Sequence, residues 1–94
     1  INREVEILIG EQGPATKEAE RRLLERGVGA IAILETGLYQ ADAMGRIRIV
    51  KTLAKLNSAE VLPVIRHIAK RDDDALVRET AKTALAKLGA SESQ

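Results

Sequence analysis

Residues 73–89, DDALVRETAKTALAKLG, decide how this chain is read. Val77, Ala81, Ala84, Leu85 and Leu88 recur at helical spacing and make one apolar stripe. Arg78, Glu79, Lys82 and Lys87 stay off it. Asp73 or Asp74 can cap the start by accepting amide N–H groups that the first turn leaves unpaired. Gly89 can close the end in a left-handed conformation. The pattern recurs 32 residues earlier, where Leu53-Ala54-Lys55-Leu56 answers Leu85-Ala86-Lys87-Leu88. In that register Asn57 meets Gly89, Ile49 meets Ala81, Arg46 meets Arg78 and Asp42 meets Asp74. Self-similarity at such a period is the signature of stacked helical repeats.

Working outward, the rest of the chain reads as further helices. Residues 59–70 follow a Ser58 cap and carry Val61, Leu62, Ile65, Ile68 and Ala69, with Pro63 in the first turns, where its missing N–H costs least. Residues 45–56 turn Ile49, Val50, Leu53 and Leu56 inward, with Asp42 as the cap. Residues 28–38, VGAIAILETGL, are apolar enough to be a buried strand. Helical neighbours and the lack of a partner strand favour a helix, in which Gly37 allows close approach of a neighbour. Residues 15–26 form a helix after Pro14, with Ala15, Ala19, Leu23 and Leu24 toward the core and Gly27 ending it. Asn2 caps a first helix over 3–9, whose apolar side is Val5, Leu8 and Ile9. Residues 90–94 are small and polar and are expected to fray.

Six helices therefore pair as three hairpins, 2–27, 28–57 and 58–89, in one domain over residues 1–94. No hairpin buries its stripe alone, so stacking is required. The fold class expected is an all-α superhelix. The start at Ile1 rather than Met reads as a piece of a longer chain.

Composition narrows the chemistry. Tyr39 is the only aromatic residue, so the core is aliphatic. No cysteine is present, which excludes disulfides and thiolate metal sites. No run approaches the ~20 apolar residues of a membrane span, and no signal sequence is visible, so the default location is the cytoplasm. His67 is the only histidine and sits on the polar side of its helix. Gly10 and Gly13 are too sparse for a phosphate loop, and Asp72-Asp73-Asp74 lacks the glycine and terminal glutamate of a calcium loop. No catalytic, cofactor-binding or metal-binding residue is expected, and the chain does not read as an enzyme.

The charge is nearly balanced overall but unevenly placed. Residues 1–44 carry five basic and eight acidic side chains, whereas 45–94 carry ten and six. Between Arg46 and Arg71 lie seven basic residues against Glu60 alone. Such a patch suits an acidic partner.

Three motifs carry a family resemblance: Leu62-Pro63-x-Ile65 early in the fifth helix, the acidic turn Asp72-Asp73-Asp74 followed by Val77-Arg78, and Ala81-x-x-Ala84-Leu85-x-x-Leu88-Gly89. In these the chain resembles HEAT repeats, especially the short bacterial HEAT-like type also found in phycobilisome-lyase-type proteins. The second hairpin has Gly45 where Val77 would stand, and the first lacks the Asp and Arg pair. The resemblance implies a ladder of Asp42, Arg46, Asp74 and Arg78 joining successive units. It also implies a concave face lined by the second helix of each pair. Its exposed residues would be Arg21, Arg22 and Glu25, then Arg48, Lys51, Thr52 and Lys55, then Glu79, Lys82, Thr83 and Lys87. Of these, Arg48, Lys51, Lys55, Lys82 and Lys87 are the partner-binding candidates. The function expected is a protein-interaction scaffold taking an acidic surface or peptide. The alternatives are nucleic-acid backbone binding by the Arg46–Arg71 patch, an accessory module of a lyase, or self-association through uncovered terminal helices.

Overall fold

The computed structural model describes residues 2–10 and 13–90. Six α-helices follow one another: α1 (Arg3–Gly10), α2 (Pro14–Glu25), α3 (Ala30–Leu38), α4 (Ala43–Leu56), α5 (Leu62–Arg71) and α6 (Ala75–Lys87). Short 3-10 turns, Gly27–Gly29 and Ala59–Val61, lead into α3 and α5. No strand occurs among the described residues, so the apolar run at 28–38 is helical. The expectation for residues 91–94 lies outside the described ones.

Local chemistry explains where each helix begins and ends. Asn2 Oδ1 accepts from the Glu4 amide at 2.8 Å and the Val5 amide at 3.3 Å. Asp42 Oδ1 takes the Gly45 amide at 2.8 Å, and Asp74 Oδ1 takes those of Leu76 and Val77 at 2.9 and 3.1 Å. Each such cap satisfies orphan donors and contributes about 1 kcal/mol. Pro63 stands second in α5, because the 3-10 turn absorbs residues 59–61 and the proline needs no N–H there. Asn57 closes α4 in the left-handed region (φ 51°), as Gly89 (φ 73°) does after α6. After α6 the Gly89 amide reaches the Ala86 carbonyl and the Ala90 amide the Leu85 carbonyl, at 3.1 and 2.9 Å, which is a Schellman closure.

The helices pack as pairs, α1 on α2, α3 on α4 and α5 on α6. The pairs join mainly through α4, which touches α1, α2, α3 and α6. One aliphatic core runs through all of them, with Leu8, Leu23, Leu34, Ile49, Leu53, Ile65 and Leu85 among its largest fully buried members. Burying each such side chain is worth about 1.5–3 kcal/mol, which replaces the aromatic anchors this chain lacks. The architecture is an all-α solenoid of helix pairs.

Two glycines set the closest contacts. A Cβ on Gly37 would stand 2.4 Å from Val5 Cγ1 and 3.2 Å from Ile49 Cδ1. One on Gly45 would stand 2.9 Å from Ala41 Cβ, 3.0 Å from Ile9 Cβ and 3.2 Å from the Ile9 carbonyl oxygen. The end of α1 thus lies directly on α4 at Gly45, which accounts for glycine where the third pair has Val77.

This seat of α1 corrects the expectation of an uncovered first helix. Val5 and Leu8 are buried and Ile9 is partly covered, so the terminal helix leaves no apolar stripe in search of a partner. One smaller correction follows. Ala15 is exposed, because α2 turns Ala19 and Leu23 inward instead. On α4, Ile47 joins Ile49, Val50 and Leu53 among the buried residues.

Candidate interaction grooves

The joint between the second and third pairs is ionic. Arg46 Nε donates to Asp72 Oδ2 at 2.8 Å and Nη2 to Asp72 Oδ1 at 3.1 Å, with Asp73 Oδ1 at 3.2 Å. Nη1 donates to the Ala41 carbonyl at 3.0 Å, in the turn before α4. Both partners are largely withdrawn from water, their side chains retaining 19% and 8% of their exposure. Burial pushes the Asp72 carboxyl pKa up. The Arg46 hydrogen bonds, the Asp74 amide and the charges of Arg46 and Arg78 outweigh it and hold the pKa below the ordinary carboxylate value.

The acid of this joint is Asp72, not the expected Asp42 and Asp74. Those two carboxylates face the first-turn amides of α4 and α6 and are used as caps. Arg78 occupies the position of Arg46 one unit on, but its Nη1 donates at 2.6 Å to the backbone carbonyl of Asp72 in its own turn. Asp42, Arg46, Asp74 and Arg78 therefore do not form a four-membered ladder.

Two of the residues expected on the exposed face of α4, the partner-binding candidate Arg48 and its neighbour Thr52, have internal duties. Arg48 Nη1 donates to the Leu8 and Ile9 carbonyls, both at 3.2 Å, where a cation suits the carbonyl end of α1. Thr52 is fully buried rather than exposed. Its Oγ1 lies 2.9 Å from the Arg48 carbonyl and 3.1 Å from Glu20 Oε2, so one hydroxyl hydrogen is shared between two acceptors. Glu20 also takes Lys55 Nζ at 2.9 Å, which ties α2 to α4.

The exposed face of α2 neutralises itself. Arg21 pairs with Glu18 and Glu25, and Arg22 reaches Glu18 at 3.2 Å. The hydrogen bond from Arg21, aided by Arg22, lowers the Glu18 pKa. That helix offers little unspent charge to a partner.

Of the remaining candidates, Lys51, Lys55 and Lys87 converge on an open groove between α4 and α6, of about 650 Å³. Lys51, Ala54 and Lys55 line it from α4, and Leu76, Glu79, Thr80, Thr83, Ala84 and Lys87 from α6. Leu76, Thr80, Thr83 and Lys87 fall at i, i+4, i+7 and i+11, one face of the helix. Leu76 keeps 60% of its surface exposed. Lys82, expected on this face, lies outside the lining and pairs with Glu79 at 3.3 Å. Lys51 and Lys87 have no ionic partner among the described residues. Leu76 is the member that sequence reasoning missed. Its place four residues before Thr80 on the polar side of α6 was the available signal.

A second groove, of about 500 Å³, lies between α3 and α5 and is lined by Glu35, Leu38, Tyr39, Pro63, Val64, His67 and Arg71, with the Arg46–Asp72 joint at one end. The basic residues between Arg46 and Arg71 are thus not one patch. Arg46 and Arg48 are engaged internally, Lys51 and Lys55 face one groove, and Arg71 faces the other.

The family described as HEAT repeats matches residues 31–94, which hold both joined helix pairs from α3 to α6. The chain belongs to the HEAT-repeat family. Its first pair lies outside the matched span, consistent with the distinct seat of α1 across α4. No curated protein and no solved structure matches the chain. HEAT repeats are commonly protein-interaction scaffolds. No helix among the described residues is long and apolar enough to cross a membrane.

Proposed function

We propose that this HEAT-repeat chain is a non-catalytic scaffold that holds an acidic, amphipathic protein segment in the groove between α4 and α6. The observation that carries the reading is the pairing of unspent cations, Lys51 and Lys87, with the exposed side chain of Leu76 on one lining. Exposed ion pairs contribute only about 0.2–1 kcal/mol each, so the lysines select and orient. The affinity comes from covering Leu76, Leu88 and the alanines. A segment with a leucine or methionine anchor flanked by aspartates or glutamates fits that division of labour.

The three pairs act here as one unit over residues 1–94, and the cytoplasm is the compartment this reading assumes. Backbone recognition of nucleic acid is less well supported, because the basic residues are divided between two grooves and no aromatic ring lines the lysine-bearing one. The test is fluorescence anisotropy with a labelled acidic amphipathic peptide. Lys51→Glu with Lys87→Glu should weaken binding about tenfold or more while leaving the melting temperature nearly unchanged. Equal binding by the double variant overturns the reading.

A further inference from the structure

The groove between α3 and α5 lies apart from the lysine-bearing groove, and we infer that it is a self-docking surface through which two copies of this chain associate about a two-fold axis. Its two walls are complementary to each other. Glu35 on α3 and Tyr39, the residue that caps its C-terminal end, stand one turn apart; on α5, Pro63, His67 and Arg71 stand at successive turns. One wall therefore offers an acid and a ring, the other a proline and two basic side chains.

Tyr39 is the chain's sole aromatic residue and is 88% exposed, with no polar partner among the described residues. Glu35 and Arg71 likewise make no ion pair among the described residues. Four helical residues span about 6 Å, so the interval from Glu35 to Tyr39 equals that from Pro63 to His67. When a second copy lays its α3 antiparallel along α5 with its Tyr39 over Pro63, its Glu35 falls opposite His67, one turn from Arg71 and within reach of that long side chain. The two-fold then repeats the same contacts on the other side, as an isologous interface requires. The surface is small, so the association is weak and concentration-dependent. This inference does not rest on the acidic-segment reading and uses none of its residues.

Sedimentation across roughly 10 µM to 1 mM, a range suited to small interfaces, tests it. The wild type should shift from monomer to dimer over that range. The iodide quenching of Tyr39 fluorescence should fall in parallel, since no other residue emits. Tyr39→Ser should weaken association about tenfold or more, as loss of a central aromatic does. Glu35→Arg and Arg71→Glu should each weaken it, and the two together should restore it. Circular dichroism confirms that each exposed substitution leaves the helices intact. A monomer throughout the range overturns the inference, and so does a dimer that ignores Tyr39 and the charge exchange.

Discussion

Arg46 of α4 grips Asp72 of the turn before α6 through two hydrogen bonds, at 2.8 and 3.1 Å, and so joins one helix pair to the next. The same arginine holds the turn before its own helix through the Ala41 carbonyl. One side chain thereby fixes two turns relative to each other, which a point charge such as lysine would do less well.

Arg46→Met is expected to destabilise the fold by about 2–3 kcal/mol, because it leaves the Asp72 carboxylate withdrawn from water and unpaired. For a domain of this size that lowers Tm by roughly 10 °C or more. Arg78→Ala removes one hydrogen bond to a backbone carbonyl and should cost about 1 kcal/mol. Thermal melts of the two variants check the ranking, and equal losses would contradict the asymmetric joint.

Acid should weaken the wild type through the same pair. The folded pKa of Asp72 lies below its unfolded value, so the unfolded chain takes up the proton first. The stabilisation is complete above the ordinary carboxylate value of about 4 and is lost as pH falls through it toward the lower folded value. Urea titrations between pH 6 and about 3 should show a steeper acid decline for the wild type than for Asp72→Asn.

Gly45→Val, which copies the residue of the third pair, should cost more than about 2 kcal/mol. Its Cβ would meet the Ile9 Cβ at 3.0 Å and the Ile9 backbone oxygen at 3.2 Å. Backbone cannot yield as a side-chain tip does, so α1 is displaced and Arg48 loses its carbonyl partners. Amide hydrogen exchange should accelerate across α1 and remain slow in α5 and α6.

Gly37→Ala tests a second close approach. Helix propensity favours alanine by about 1 kcal/mol, but the new methyl would sit 2.4 Å from Val5 Cγ1 as the backbone stands. Val5 is fully buried and stiff at χ1, so we expect a net loss of about 1–2 kcal/mol by chemical denaturation.

Local signals made the helices legible. Asp42, Asn57, Asp74 and Gly89 announce their turns because a cap depends on residues within one helical turn. What stayed hidden was non-local. Three consecutive aspartates offer equal chemistry on paper. Only the direction of the turn commits Asp74 to the α6 amides and releases Asp72 to meet Arg46 across 26 residues. Likewise, the spacing of Arg48 and Thr52 places them on the polar side of α4, yet α1 and Glu20 arrive there from the first pair and claim both. Lys51 and Lys87 remained correctly exposed because nothing distant reaches them.

The most direct measurement is a nitrogen–proton correlation spectrum of the labelled protein titrated with an acidic amphipathic peptide, at low and at physiological salt. Shifts are expected to cluster on Lys51, Ala54, Leu76, Thr83 and Lys87, weaker at higher salt but unmoved in position. Shifts centred instead on α3 and α5, or none at all, would contradict the assignment of the α4–α6 groove as the binding site.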